Sequence, residues 1–506
     1  MDNYTKKMKA KPFDIDANKL IAILKMADAK ELGLFPLDRV EISCPRTKRK
    51  TACVVDITKT MLKDGEIGIF TDVKEKLGLK KGENVIVRAV PSPESVCFIK
   101  KKLDGGTLTE DELKEIVRDL SDNKISEIEA ASFVSAVYVH GFSLSETVAM
   151  TKALANDGLK IHFNDDIVLD KHCIGGTNGR TTMIIVPIIA AAGFKIPKTS
   201  SRSITSSAGT ADAMEVLANV SLSIKQIKKI TKKVGGVIAW GGALELAPVD
   251  DKIIQIEHPL SLDPPGQIIA SVMAKKASVG AKYLVIDLPV GPDAKIHSRD
   301  RAKDMAKKFI AVGKELGIRV QSVITDGSEP LGRAFGPALE AKYVMETLEG
   351  KRFDNLAQKS CELAGVLFEM AHKVKKGRGT AYAKELLTSG KALEKMKEMI
   401  KAQGKNVLNS SEICEARFKK VVKATIPGEI GGINMKECAN LAKTAGAPAN
   451  KRAGVMLLVE VGDMVRVGQP LFQIYAENKR KMDLAIKFAS KKLIVETEKI
   501  ILEKFT

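Results

Sequence analysis

From Asp166 to about residue 420 the chain alternates short strand-like apolar runs (167–169, 237–239, 283–288 and 319–324) with stretches of helical spacing. Such alternation restricts a chain to an α/β domain on a mostly parallel sheet, because parallel neighbours need a crossover and a helix is the usual one. The flanks read differently. Residues 20–90 hold short apolar runs (40–42, 52–57, 66–70, 84–90) broken by turn signals such as Lys63-Asp64-Gly65 and Lys81-Gly82, which predicts an N-terminal β-rich domain over 1–90. Pro91-Ser92-Pro93 reads as a linker. Beyond Gly105-Gly106, Leu113, Ile116, Val117 and Leu120 fall at helical spacing, and 126–139 and 145–154 repeat the signal. A helical domain is therefore expected over 95–165, joined by about 250–280. The α/β domain takes 166–249 and about 281–420, with a helix over about 380–402 ending near Gly404. From Val421 glycine-punctuated runs (455–461, 470–475) predict a C-terminal α+β domain over 421–506, with a structural hairpin favoured for 461–471. The fold class is thus multidomain α/β.

Composition narrows the function. A chain of 506 residues exceeds one ordinary core, and 44% hydrophobic with 28% charged residues excludes disorder. The first 19 residues lack an apolar run, and the longest apolar stretch, 183–194, contains Pro187 and is too short for a bilayer, so neither signal peptide nor membrane partner is expected. Seven scattered cysteines without a CxxC pair, and no clustered histidines, give no zinc site and suit reduced thiols in a cytoplasm. The net charge of +19 fits either an anionic partner or a solvated lysine surface. With 5% aromatic residues and lysines spread along the chain, no stacking groove for nucleic acid is indicated.

Three constellations carry chemistry. The run from Asp170 to Thr182 (DKHCIGGTNGRTT) lies between a strand and an apolar helix. Glycines that let backbone N–H groups approach, two basic side chains and hydroxyls at a helix start make an anion cradle. It matches neither the Walker pattern nor GxGxxG, and a bare strand-to-helix turn would look similar. The run from Ser200 to Glu215 (SSRSITSSAGTADAME) sets seven hydroxyls around Arg202, a composition suited to holding phosphate or ribose. Its end also reads as a capping box, with Asp212 at the cap and Glu215 three residues on. Third, Asp263 precedes Pro264-Pro265 and a helix over 267–276 on which Ser271 and Lys275 share a face. An aspartate there also reads as a helix cap. Lys295, just after the strand at 283–288, stands where ligands of open parallel sheets sit.

Residues 200–215 resemble the signature of the thymidine phosphorylase family, sixteen positions in register. The preceding loop is similar to that family's Lys-His-Ser phosphate loop, with Cys173 in place of the serine. The resemblance runs from about residue 95 to the C-terminus and includes Thr325-Asp326-Gly327-Ser328-Glu329-Pro330-Leu331-Gly332. It implies phosphate on Lys171, Thr182, Ser200 and Thr210, a base held by a helical domain, and closure of that domain over the α/β domain. The added N-terminal domain, with Leu262-Asp263-Pro264-Pro265-Gly266-Gln267 and Gly291-Pro292-Asp293-Ala294-Lys295, is similar to the archaeal AMP phosphorylase branch. That branch implies nucleotide binding by Gly175, Ser201, Arg202, Ser203, Ile204, Thr205, Ser206, Thr210, Ser271 and Lys295, with Asp263 as proton donor. Apolar surroundings from Leu260 and Leu262 are expected to keep Asp263 protonated. The implied partners are AMP and inorganic phosphate as co-substrate, with no cofactor and no metal, in a homodimer or larger homo-oligomer. Residues 253–262 contain no arginine to grip a pyrimidine base as in nucleoside phosphorylases. A nucleoside phosphorylase and a non-catalytic basic nucleic-acid binder stand as the alternatives.

Overall fold

The computed structural model describes residues 4–16, 19–163, 166–175, 179–203, 206–244, 246–260, 262–404 and 407–498. It divides into two compact units, Met1–Asp157 with Pro248–Ala270 and Gly158–Ala247 with Ser271–Thr506. Among the described residues no helix is long and apolar enough to cross a membrane.

The first unit opens with a closed barrel of β1 (Thr5–Pro12), β2 (Ile21–Lys25), β3 (Arg39–Cys44), β4 (Arg49–Thr58), β5 (Glu66–Ile69) and β6 (Asn84–Val90), in the order β1-β5-β2-β4-β3-β6. Strand alternation explains its core: Val40, Ile42, Val55, Ile67, Ile69, Val85 and Val87 point inward and are fully buried. In β1 the sequence Lys-Met-Lys-Ala-Lys buries Met8 and Ala10 while the lysines face out. Helices Ser95–Leu103, Glu110–Ser121, Glu127–His140 and Leu144–Asp157 follow, joined by Pro248–Glu257. Two of them begin with reciprocal caps, Thr109 with Glu112 and Ser126 with Glu129, which satisfy backbone donors that would otherwise be orphaned. The buried ammonium of Lys102 meets Glu146 at 2.8 Å, and Arg39 of β3 bonds Glu129 and, at 3.1 Å, the carbonyl of Lys124.

In the second unit β7 (Leu169–Cys173), β10 (Tyr283–Val290) and β11 (Arg319–Asp326) pair in parallel, as do β8 (Ile196–Ser200) and β9 (Gly236–Trp240). A parallel bridge between Val168 and Lys195 links the two groups. The helix Gly179–Ala191 is apolar around its whole circumference and correspondingly sits inside, with Met183, Ile184, Ile185, Val186, Ile188 and Ile189 at zero exposure. Each such side chain contributes about 1.5–3 kcal/mol of burial free energy. The helix expected over about 380–402 is two helices, Gly379–Thr388 and Lys391–Ala402. They break at Gly390, whose φ of 81° no helix interior contains.

The C-terminal segment pairs β12 (Ala334–Phe335), β15 (Gly454–Leu457), β17 (Pro470–Ala476) and β13 (Phe418–Lys423) in one sheet, and β16 (Met464–Val465), β14 (Gly428–Ile433) and β18 (Val495–Glu498) in another. The hairpin favoured for 461–471 is not a tight one. β15 and β17 do pair antiparallel, but between them β16 leaves to pair with β14.

Candidate active site

β7, β8 and β10 run in parallel, so the loops after Cys173, Ser200 and Val290 leave the same edge of the strands. These loops carry most of the residues singled out in the sequence. Gly176, Thr177 and Asn178 of the glycine loop, and Ile204 and Thr205 of the serine loop, lie outside the described residues.

Gly175 and Lys295 come together. Gly175 has φ +70°, and a Cβ there would stand 2.4 Å from Cγ and 2.5 Å from Cβ of Lys295. Only glycine lets the lysine stem cross the anion loop at that point. The lysine is aimed by an elbow after β10, in which Gly291 N donates to Ile296 O at 3.2 Å. Gly291 in turn backs onto the Asp326-Gly327-Ser328 turn, where an added Cβ would sit 2.3 Å from the Gly327 carbonyl oxygen. Asp326 closes that turn by accepting from Ser328 N (2.9 Å) and Oγ (2.7 Å).

The serine loop is held by charge. Asp212 accepts from Gly209 N (2.9 Å), Ser203 N (2.7 Å) and Arg202 Nη1 (3.1 Å). The helix Thr210–Leu217 therefore starts three residues earlier than the sequence reading placed it, with Asp212 reaching back to Gly209. Glu215 instead takes two bonds of 2.7 Å from Arg202 and one of 2.5 Å from Lys451. The Arg202 guanidinium beside it holds the Glu215 carboxyl down at about 2. Arg202 also lies 4.8 Å over the ring of Trp240. The sequence suggests it as a cation for substrate, whereas its described partners are two carboxylates and an indole of its own chain. The hydroxyls of Ser203 and Ser206 bond the carbonyls of Ser206 and Ala208, closing the loop on itself.

Beneath these loops Lys171 is buried, its ammonium 3.0 Å from Thr181 Oγ1. Thr182, on the same helix as Thr181, and Thr210 are buried as well, and Ser200 is partly exposed at the end of β8. Cys173 places its thiol 3.7 Å from the Gly175 carbonyl oxygen. Two buried charge clusters escaped the sequence reading. Asp170 accepts from Lys276 Nζ at 2.7 Å, with Lys198 Nζ 3.9 Å away, and Asp287 stands between Lys359 Nζ (3.3 Å) and Thr325 Oγ1 (2.6 Å). One signal was available: Lys198 lies two residues before Ser200 in a strand, and so on its face.

Asp263 belongs to the first unit, while Ser271 and the anion-loop residues belong to the second. The helix observed as Pro265–Ser278 begins two residues after Asp263. The apolar shell expected around this carboxyl is not formed by Leu260, which is 72% exposed, and Asp263 itself is not buried.

Comparison with known proteins places these features. Residues 96–158 match the glycosyl transferase family helical bundle domain, 165–393 its a/b domain, and 430–496 the pyrimidine nucleoside phosphorylase C-terminal domain. Anthranilate phosphoribosyltransferase from Thermus thermophilus shares the fold over 60% of this chain and 98% of its own, with a TM-score of 0.52 and 21% identity. Similar curated proteins include AMP phosphorylase 1 of Archaeoglobus fulgidus (42% identical, 97% of each chain), and the AMP phosphorylases of Methanothrix thermoacetophila (40%, 97% of this chain and 96% of the other) and Methanococcus vannielii (41%, 99% of each). The family read from residues 200–215 is confirmed, and the chain belongs to the AMP phosphorylases of the glycosyl transferase family.

Proposed function

We propose that this protein cleaves AMP with inorganic phosphate to adenine and ribose 1,5-bisphosphate, in the cytoplasm and without a further cofactor. The observation that carries the reading is Lys295 seated against Gly175, a second cation at the anion loop beyond the Lys171 assigned to the co-substrate phosphate, as a substrate that brings its own phosphate requires. Three parallel strand pairings, and the Val168–Lys195 bridge that links them, support a single mostly parallel sheet as the platform.

Phosphate is the nucleophile at the anomeric carbon, so the protein supplies no covalent nucleophile. Lys171, Thr182, Ser200 and Thr210 hold that phosphate against a ribosyl centre that gains positive charge as the base departs. Gly175, the serine loop, Ser271 and Lys295 hold the nucleotide. The family resemblance assigns Asp263 the proton passed to the leaving base, a role for which bound substrate has to supply the shielding that Leu260 does not.

The test compares phosphate-dependent base release from AMP, CMP, UMP and the matching nucleosides. A charge-assisted contact contributes about 1.5–3 kcal/mol, so AMP is expected to outrun adenosine by roughly 10-fold to 100-fold through Lys295 alone. Lys295→Ala should remove most of that ratio. Equal efficiency on adenosine and AMP in the wild type, or equal damage to both in the variant, replaces this reading with a nucleoside phosphorylase.

A further inference from the structure

Lys295 stands in an elbow whose two ends are fixed. Val290 and Ile296 form a parallel bridge, Gly291 N donates to Ile296 O, and Gly291 rests on the Gly327 turn. Between those ends Ala294 is buried, while Asp293 and Lys295 are exposed. Asp293 reaches out of the elbow: its Oδ2 accepts from the backbone N–H of Met435 at 3.1 Å, 142 positions along the chain. Met435 opens the helix Met435–Ala445, whose inner face of Cys438, Leu441, Ala442 and Ala445 is buried in the core of the C-terminal segment. The first amides of a helix have no partner within it and carry partial positive charge. Here Asn434 Oδ1 takes the N–H of Glu437 at 2.9 Å, and Asp293 takes that of Met435. A carboxylate of the elbow thus completes the cap of a C-terminal helix. The bond is charge-assisted, and Met435 is 4% exposed, which limits competition from water. The serine loop is tied to the same segment, since Lys451 bonds Glu215 at 2.5 Å and Glu215 holds Arg202.

We propose that Asp293 is a positioning residue for Lys295, through which the C-terminal helix braces the elbow and keeps the ammonium aimed at the phosphate that the nucleotide itself carries. This rests on the AMP reading given above and deepens it. A cation two residues from a fixed point samples a narrower range of positions than one on a free turn. A displacement of about 1 Å is enough to lose much of a charge-assisted contact.

The experiment measures phosphorolysis of AMP and of adenosine by the intact protein and three variants. Asp293→Ala removes the acceptor at an exposed position and should cut the AMP-to-adenosine efficiency ratio about 10-fold, through a higher KM for AMP, with adenosine turnover unchanged. Asp293→Asn keeps an oxygen for the Met435 N–H and should retain the ratio within about 3-fold. In a Lys295→Ala background, Asp293→Ala should have no further effect on the ratio, because the group it aims is gone. A purely structural loss would persist in that background and would fall on both substrates. An unchanged ratio in Asp293→Ala, equal losses on AMP and adenosine, an Asn variant as damaged as the Ala one, or a full further loss beside Lys295→Ala overturns the proposal and leaves Asp293 a helix cap only. Failure of the AMP reading looks different: the wild type then shows no preference for AMP, and Lys295→Ala changes neither substrate selectively.

Discussion

At the scale of single residues the sharpest dependence is the one between Gly175 and Lys295. An alanine at 175 would place its methyl within 2.4 Å of the lysine stem, on a backbone whose φ of +70° already disfavours a side chain. The left-handed strain alone costs about 1 kcal/mol, and the stem must also move. Gly175→Ala should therefore lower the AMP-to-adenosine efficiency ratio by about 10-fold, one charge-assisted contact's worth, while adenosine turnover changes little. A variant whose two efficiencies fall together would place the damage in the loop's fold rather than at Lys295. The sequence marked both residues through family resemblance, but nothing in their spacing, 120 positions apart, announced that they touch. Arg202 is the opposite case. Its serine-rich surroundings suggested a substrate contact, and the carboxylates that claim it, Asp212 and Glu215, stood within the same sixteen residues. The same two acids also satisfy a helix-capping pattern, so their spacing alone does not reveal that pairing.

At the scale of elements, the helix Pro337–Leu348 carries a buried acid with a measurable consequence. Glu340 is 6% exposed, accepts from Gly336 N at 3.2 Å, and is pushed by burial to about 7, against the opposing pull of Arg180. The folded protein thus holds this proton more tightly than the unfolded chain does. Stability should fall as pH rises from the ordinary carboxylate value to about 7 and level off above it, by on the order of 3 kcal/mol from this group. Glu340→Gln mimics the protonated form. Denaturant melts of this variant between pH 5 and 8 should lose that fall, and an unchanged slope would assign it to other groups. Which elements were legible follows from pattern strength. The bundle helices were readable because their apolar spacing is unbroken, β9 and β10 because their runs are apolar and uninterrupted, and β11 because β-branched Val320, Val323, Ile324 and Thr325 stand among its polar residues. β8, Ile-Pro-Lys-Thr-Ser, was missed since Pro197 and Lys198 disguise a buried strand as a loop. β1 was missed because its lysines mask a strict two-residue alternation with Met8 and Ala10 inside. The break at Gly390 was lost within a longer helical pattern that continues on both sides.

At the scale of the whole molecule the chain joins a catalytic family's three matched segments to a barrel at residues 5–90 that precedes them. We propose that this barrel mediates association between copies. Deleting residues 1–90 should yield a smaller particle by size-exclusion chromatography with light scattering, with the circular dichroism of the remainder retained. An unchanged subunit number would refute the assignment. The barrel's closure also limits how such association can work. A sheet that returns on itself offers no row of free backbone donors and acceptors for another chain to extend. Copies can meet there only through side chains, and the outward face of β1 presents Lys7, Lys9 and Lys11. Contacts built from such groups answer to the surrounding electrolyte, so the particle's size should track ionic strength in a way that a shared strand would not.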